Sequence, residues 1–326
     1  MLFINSLNHY APFNIACEEY ILNHFPQDVF FLYRNDSSII VGRHQNTLAE
    51  INLDYVKKHN IPVVRRLTGG GTVFHDLGNL NYCFLMNRNG DEDRGFARYT
   101  APILAALKNL GIDAKLEGRN DLTIKGMKFS GNAKAVYSNK VHQHGTILFS
   151  SKITDLSAAL KANPLKFKDK AVHSVAARVT NISEHLLKPV TLEEFIQLIQ
   201  NEVLKFYPDS REYRLTAEDE KSINTLMKNK YETWEWNFGH SPAYNHIQMI
   251  RCPAGTIEFH TDVHKGKITG LRIYGDFFGE LDPSELELAL IGLPHRVEAI
   301  RKVLETLPLN EYFGEVDIED ILTGLI

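Results

Sequence analysis

Several common signals are missing from this chain of 326 residues, and each absence excludes something. Cysteine is scarce: Cys17, Cys83 and Cys252 are odd in number and far apart, giving neither a disulfide framework nor a metal-ligand spacing. No apolar run approaches the roughly 20 residues that cross a bilayer. The first segment, MLFINSLNHYAPFNIACEEY, lacks a basic region leading into a sustained apolar core, which argues against a secretory signal. Charge of one sign is also missing. With 36 Lys and Arg against 40 Asp and Glu the net charge is −4, so nothing draws the whole chain toward nucleic acid or an anionic membrane. Neither the Walker pattern G-x-x-x-x-G-K-[ST] nor the dinucleotide pattern G-x-G-x-x-G carries the glycines. No internal repeat or low-complexity segment occurs. A hydrophobic fraction of 44% and a charged fraction of 23% describe an ordinary globular protein. Its length suggests one large and one small domain. A cytoplasmic location is expected.

The most informative stretch is Arg65 to Asn79, RRLTGGGTVFHDLGN. The apolar run Ile61, Val63, Val64 ends in two arginines; Gly69, Gly70 and Gly71 follow, and then β-prone Thr72, Val73 and Phe74 lead to His75 and Asp76. Glycine allows positive φ and close approach to the main chain, at a cost of roughly 0.5–1 kcal/mol each relative to alanine. Three in a row between strands suggest a donor-rich strand–loop–strand cradle, for which the adjacent arginines make an anion the natural guest. A glycine-rich hairpin without a ligand is the plain alternative; Arg66, His75, Asp76 and Asn79 favour the site.

Around this motif the pattern is mixed. Val29 to Tyr33, Ile39 to Val41 and Leu80 to Met86 read as strands, and Ala101 to Leu110 reads as a helix stopped by Gly111. Asp121 to Ile124, Met127 to Tyr137 and Val141 to Phe149 form an antiparallel group joined at Lys125-Gly126 and Ser138-Asn139-Lys140. Thr191 and Glu194 make a capping box for a helix whose apolar stripe includes Leu192, Phe195, Ile199 and Val203. Thr216 and Asp219 open a more charged helix to about Lys230. After the aromatic segment Trp234 to Gly239 a boundary is expected at 240–247. A hairpin across His264-Lys265-Gly266 comes next, then a helix begun by Asp282 and Pro283 and another over Arg296 to Leu304. Strands and helices do not alternate strictly, so the class is α+β: a large mixed-sheet domain over 1–243 and a small α+β domain over 247–326.

A second chemical cluster lies at Gly118 to Asn132, GRNDLTIKGMKFSGN, with HGTIL at 144–148. On a regular strand Lys128 and Ser130 share a face opposite Met127 and Phe129. A lysine there, beside Asn120 and Asp121, can reach a bound anion as a point charge, or it can simply face solvent. His142 and His144 are spaced for a metal, but no further Cys/His cluster completes a shell, and surface or hydrogen-bonded histidines are the reading preferred. Cys83 in an apolar strand reads as buried and inert, and Cys17 has its pKa raised by Glu18 and Glu19. Trp234 and Trp236 anchor the domain junction or stack on a base. The lysine-rich stretch from Lys161 to Lys170 closes over an anion or is solvated.

Taken together, RRLTGGGTVFHDLGN, GRNDLTIKGMKFSGNA with HGTIL, SVAARVTNISEHL (Ser174 to Leu186) and WEWNFGHSPAYNH (Trp234 to His246) resemble the lipoate–protein ligase A family, in its bacterial full-length form with a small C-terminal domain. The resemblance covers essentially the whole chain and implies a biotin/lipoate ligase-like catalytic domain. It implies that lipoate attacks the α-phosphate of ATP to give lipoyl-adenylate, and that an acceptor lysine then takes the lipoyl group. Acceptors of this kind are lipoyl domains of oxoacid dehydrogenase E2 subunits and the glycine-cleavage H protein. Carried onto this sequence, the resemblance implies that Arg66, Gly71, Thr72, Val73 and Phe74 hold the nucleotide. It also implies that Lys128 is the catalytic contact to lipoate and phosphate, and that Asn120 and Asp121 lie near the phosphates, with Asp121 the Mg²⁺ ligand. By the same resemblance Thr68, Gly70, His75, Arg66 and Lys128 are expected to line the lipoate site, and the segment from Lys161 to Arg178 is expected to fold over the adenylate. The chemistry of the residues agrees: adenylation needs positioned cations and backbone N–H groups, and no protein nucleophile.

Three rivals remain. A biotin–protein ligase would carry a basic G-R-G-R-type loop, which is absent. An ATP-independent octanoyl or lipoyl transferase would need an activated cysteine on the substrate cavity. A non-catalytic nucleotide or acyl-protein binding module would have no use for both Arg66 and Lys128.

Overall fold

The computed structural model describes residues 1–45, 47–88, 95–137, 139–160, 179–238, 246–264 and 267–326. In chain order the strands are β1 (Leu2–Asn5), β2 (Val29–Arg34), β3 (Ser38–Val41), β4 (Val63–Arg65), β5 (Val73–His75), β6 (Asn79–Asn87), β7 (Ala114–Glu117), β8 (Asp121–Ile124), β9 (Met127–Val136), β10 (Lys140–Leu148), β11 (Arg211–Glu212), β12 (His246–Cys252), β13 (Gly255–His264) and β14 (Lys267–Gly275). Eight of them form one sheet in the order β11-β1-β2-β6-β10-β9-β8-β7. β1 runs parallel to both β11 and β2, and the rest is antiparallel, so the sheet is mixed.

Both faces of this sheet are covered, which explains why β2 reads VFFLYR without polar alternation. Phe30 and Leu32 face the helices Ala97–Asn109 and Leu192–Phe206, joining a core with Ile103, Leu107, Phe195 and Ile199. Val29, Phe31 and Tyr33 face the other way, toward helix Ala11–His24, the helical segment Ala217–Leu226 and the small sheet. The Thr191 capping box is present, with Thr191 and Glu194 satisfying each other's backbone N–H groups.

β3, β4 and β5 form a separate three-stranded sheet in the order β4-β3-β5. β4 and β5 do not pair with each other. β3 lies between them, parallel to β4 (Val41 opposite Arg65) and antiparallel to β5 (Ile39 opposite Phe74). The triple-glycine loop therefore arches over the end of β3. It is not the tip of a simple hairpin.

Residues 246–326 build their own core around β12, β13 and β14, with Phe259, Phe277, Leu286, Ile300, Phe313 and Ile321 buried. The helices expected from Asp282-Pro283 and Arg296 occur as Ser284–Leu290 and Val297–Leu304; Leu309–Phe313 and Ile318–Leu325 were not anticipated.

The β8–β9 pairing departs from the sequence reading. Leu122 opposes Ser130 but Thr123 opposes Lys128, so Phe129 is an extra residue on β9. A bulge of this kind breaks the two-residue period. Phe129 and Ser130 are both buried, while Lys128 stays half-buried. Lys128 and Ser130 consequently do not share a face, contrary to regular alternation. No helix among the described residues is long and apolar enough to cross a membrane.

Candidate functional site

Arg65 and Arg66 leave β4 in opposite roles. Arg65 is fully buried and acts as a staple. Its guanidinium donates to the carbonyls of Gly42 (3.0 Å), Arg43 (3.0 Å), Gln45 (2.6 Å), Trp236 (3.1 Å) and Asn237 (3.2 Å), and to Thr47 Oγ1 (2.6 Å). Trp236 returns its indole N–H to the Arg65 carbonyl at 2.8 Å. Trp236 is thus tied to Arg65, while Trp234 is 63% exposed and stacks on Phe238; residues 240–245 of the junction they were expected to anchor lie outside the described residues.

Arg66 turns the other way, into the curve of the glycine loop. Its Nη2 donates to the carbonyls of Gly69 (2.6 Å) and Gly71 (2.9 Å), Nη1 to Ile40 (3.2 Å) and Nε to Thr68 Oγ1 (3.1 Å). Holding two loop carbonyls inward fixes the loop's curvature around a buried positive charge. Burial lowers the Arg66 pKa to about 10, and the Glu18 charge opposes that fall, so Arg66 is a cation at neutral pH. Glycine is required here. Gly70 has φ of 91°, and a Cβ on Gly42 would stand 1.9 Å from the Gly70 carbonyl oxygen.

β5 alternates. Val73 and His75 face a cavity while Phe74 packs into the small sheet's core with Ile39, Val41 and Val63. The tautomer of His75 follows from its neighbours. Asn14 Nδ2 donates to Asn35 Oδ1 (2.9 Å), so Asn35 Nδ2 is the donor to His75 Nδ1 (3.0 Å), leaving the proton on His75 Nε2. That Nε2 is buried and has no hydrogen-bond partner among the described residues. Burial first, and the nearby Arg66 second, lower the His75 pKa to about 3. His75 is therefore a neutral donor beside the cavity. Asp76 and Asn79, which seemed to favour the site, serve the chain instead. Asp76 accepts from the backbone N–H groups of Gly78 (2.9 Å) and Lys152 (2.7 Å), and Asn79 donates to Asn81 Oδ1 (2.9 Å).

Lys128 approaches the same cavity from the bulge on β9. Its Nζ is 2.7 Å from Asp121 Oδ1, both side chains being about 40% exposed. Gly131 makes room for it, since a Cβ there would stand 3.0 Å from Lys128 Nζ. Asn120 and Asn132 brace the turn reciprocally: each backbone carbonyl accepts from the other's side-chain amide.

The cavity has a volume of about 330 Å³. Arg66, Gly70, Gly71, Thr72, Val73 and His75 line one side, and Asn120, Asp121 and Lys128 another. Two further candidates do not line it: Phe74, for the reason above, and Thr68, which is buried behind the wall between Arg66 and His144. Sequence reasoning did not single out Asn81, or Asn132 at the end of the second motif, as cavity residues; His144, read as a surface or hydrogen-bonded histidine in preference to a metal ligand, is hydrogen-bonded and also reaches the wall. Sequence reasoning also missed Asp276 and Phe278, which the small domain contributes. Arg119 donates to the carbonyls of Ala254 and Asp276 and lies 4.5 Å from the centre of the Phe278 ring. A contact spanning about 150 residues has no local signal. The segment from Lys161 to Arg178 lies outside the described residues.

Behind the cavity Glu18, Cys83, His142 and His144 are all buried, and their donor atoms lie within 4.8 Å of one another. The missing companions of the two histidines thus exist, from a helix and a neighbouring strand. The geometry is that of a hydrogen-bonded cluster: Glu18 faces His142 Nε2 at 3.1 Å, His144 Nδ1 at 2.9 Å and the Tyr33 hydroxyl at 3.0 Å. All three cysteines are buried, and burial raises each thiol pKa.

Comparison with known proteins places this architecture in a class of acyl-activating ligases. Residues 10–204 match the family model described as the lipoyl protein ligase A/B catalytic domain, and residues 241–325 match the bacterial lipoate protein ligase C-terminus. The chain belongs to the lipoate–protein ligase family. It is 42% identical to lipoate–protein ligase 1 of Staphylococcus aureus over 325 residues and 42% identical to lipoate-protein ligase LplJ of Bacillus subtilis over 327, covering 99% of each chain in both cases. Among solved structures it resembles Plasmodium falciparum LipL1 in complex with lipoate, with a TM-score of 0.80, 27% identity and coverage of 98% and 96% of the two chains. It also resembles a lipoate-protein ligase A bound with ATP, with a TM-score of 0.61, 27% identity and coverage of 73% and 97%.

Proposed function

We propose that this cavity is where the chain performs the ligase reaction: ATP-dependent activation of lipoate to lipoyl-AMP, then transfer of the lipoyl group to a lysine of an acceptor protein. The observation that carries the assignment is convergence. A partly exposed cation (Lys128), a loop curved around a buried cation (Arg66) and a neutral N–H donor (His75) border one cavity, although they come from separate sheets.

In the first step a lipoate carboxylate oxygen bonds to the α-phosphorus of ATP and the bond to the bridging oxygen breaks, releasing pyrophosphate. Negative charge gathers on the phosphoryl oxygens, where positioned cations and backbone N–H groups act most strongly in a site shielded from water. Lys128 neutralises charge between carboxylate and phosphate, the loop from Gly70 to Val73 holds the nucleotide, and His75 Nε2–H donates to a carboxylate oxygen without competing as a base. In the second step the acceptor amine attacks the mixed-anhydride carbonyl and AMP leaves. Neither step needs a nucleophile from the enzyme.

Mg²⁺ fits the residues present. Asp121 offers a partly exposed carboxylate oxygen at the cavity wall, and this hard cation is commonly held by one or two carboxylates plus substrate phosphates. When bound it would neutralise phosphate charge. Phe74 and Thr68 then act indirectly, Phe74 through its backbone and Thr68 through Arg66.

The division into residues 1–243 as catalytic and 247–326 as accessory is part of this reading. Its support is the separate core of the small unit; the contribution of Asp276 and Phe278 makes that unit a wall of the site as well. The proposed acceptors are E2 lipoyl domains and the glycine-cleavage H protein, and the proposed location is the cytoplasm. A cysteine acyl-enzyme has little support, because the three thiols are buried with raised pKa values and none lines the cavity. Lipoate-dependent exchange of pyrophosphate into ATP tests the activation step. A well-folded protein that catalyses no exchange would sink the proposal in favour of a binding module.

A further inference from the structure

The buried Glu18 cluster is not explained by the reaction above. Glu18 sits on helix Ala11–His24 and has no place on the cavity wall, yet it is a nearly inaccessible carboxylate. An isolated charge of this kind is costly unless hydrogen-bonded and compensated. Its partners lead in one direction. Glu18 takes a hydrogen bond from His144 Nδ1 at 2.9 Å. That proton leaves His144 Nε2 with its lone pair, facing Thr68 Oγ1 at 2.6 Å, so the threonine hydroxyl donates and its oxygen is oriented by the ring. The same Thr68 oxygen accepts Arg66 Nε at 3.1 Å, and Arg66 holds the Gly69 and Gly71 carbonyls. The four residues form a continuous chain in which every donor has an acceptor. It ends on a loop that faces the cavity.

We propose that Glu18 is a positioning residue for the glycine loop, fixing the His144 tautomer and, through Thr68, the orientation of Arg66. This rests on the assignment of that loop to the substrates. Two further features support it. The relay places a buried anion behind a buried cation that makes no direct salt bridge among the described residues, so Glu18 compensates Arg66 at a distance. His142 Nε2, 3.1 Å from the same carboxylate oxygen that faces His144, and the Tyr33 hydroxyl, which donates to the other oxygen, hold the carboxylate itself in place. Thr68 is the link that makes the idea testable, because it is not among the residues that line this cavity and its hydroxyl can be removed at nearly constant volume.

The experiment is a double-mutant cycle on lipoate-dependent pyrophosphate exchange with the full chain, using Glu18→Gln, Thr68→Val and both together. Each single change is expected to lower kcat/KM about tenfold, and the double variant to lose about the same tenfold, because a second break in one relay removes nothing more. Thr68→Ser keeps the hydroxyl and is expected to stay near the parent enzyme. Losses that multiply to about a hundredfold overturn the relay, as does a Thr68→Ser variant as impaired as Thr68→Val. Thermal melting of each variant separates folding from positioning; an intact kcat/KM per folded molecule also overturns it. Stoichiometric zinc in the purified protein would do the same, since a metal would take the lone pairs that the relay uses. Absence of exchange in the unmodified protein would instead remove the site assignment, leaving the two failures distinguishable.

Discussion

Lys128 carries most of the chemical proposal and little of the stability. Its ion pair with Asp121 is about 40% exposed on both sides, and such pairs contribute about 0–1 kcal/mol. Lys128→Ala should therefore fold with a melting temperature close to the parent's while exchange activity drops by about 10²–10³, the usual scale for removing one charge-stabilising group. A fully active variant would refute the assignment. His75 makes an independent prediction through pH. Its folded pKa of about 3 lies below the ordinary 6.5, so between these values the unfolded chain binds the proton that the folded chain refuses. Stability then rises with pH across this window and is lost as pH falls below about 6.5. Glu18 acts in the same sense at lower pH. Burial would push its pKa up, but His144 and His142 outweigh that and hold it below the usual carboxylate range. Melting curves from pH 7 to pH 5 should slope downward, and His75→Gln should flatten the slope.

Elements differ in how visible they are from the chain. The amphipathic helix Leu192–Phe206 and its capping box were legible because every signal in it is local. Thr191→Ala should cost about 1 kcal/mol in urea unfolding and leave exchange untouched, since the cap is exposed and remote from the cavity. Gly70→Ala gives the opposite profile. A side chain at φ 91° is strained by about 1–3 kcal/mol, and its Cβ would meet the Phe278 ring at 2.9 Å. Both stability and exchange should fall, and normal exchange would show that the loop tolerates displacement. The β9 bulge was not legible. Nothing in MKFSGN marks Phe129 as the extra residue, because the choice is made by burial of its ring against Leu122 and Ile124 in the sheet's core. That choice turns Lys128 toward the cavity and Ser130 away from it.

At the scale of the molecule the site lies between two units. Phe278 packs over Arg119 and against Gly70, so the small unit covers the loop that the large unit shapes. Phe278→Ala should raise KM for ATP or lipoate several-fold with less effect on kcat, as expected when a wall is removed but the reacting groups stay. An unchanged KM would mean that the small unit does not shape binding. Composition and motif order determined the α+β class, the two-unit organisation and the pairing of a glycine loop with Lys128, because periodicity, caps and runs of glycine are written in neighbouring residues. Only the tertiary structure decided that β3 separates the strands flanking the loop, that Arg65 holds the chain while Arg66 holds the loop, and that Glu18 stands behind His144. Those outcomes depend on side chains tens to hundreds of residues apart competing for the same buried space, and on buried polar groups finding partners there.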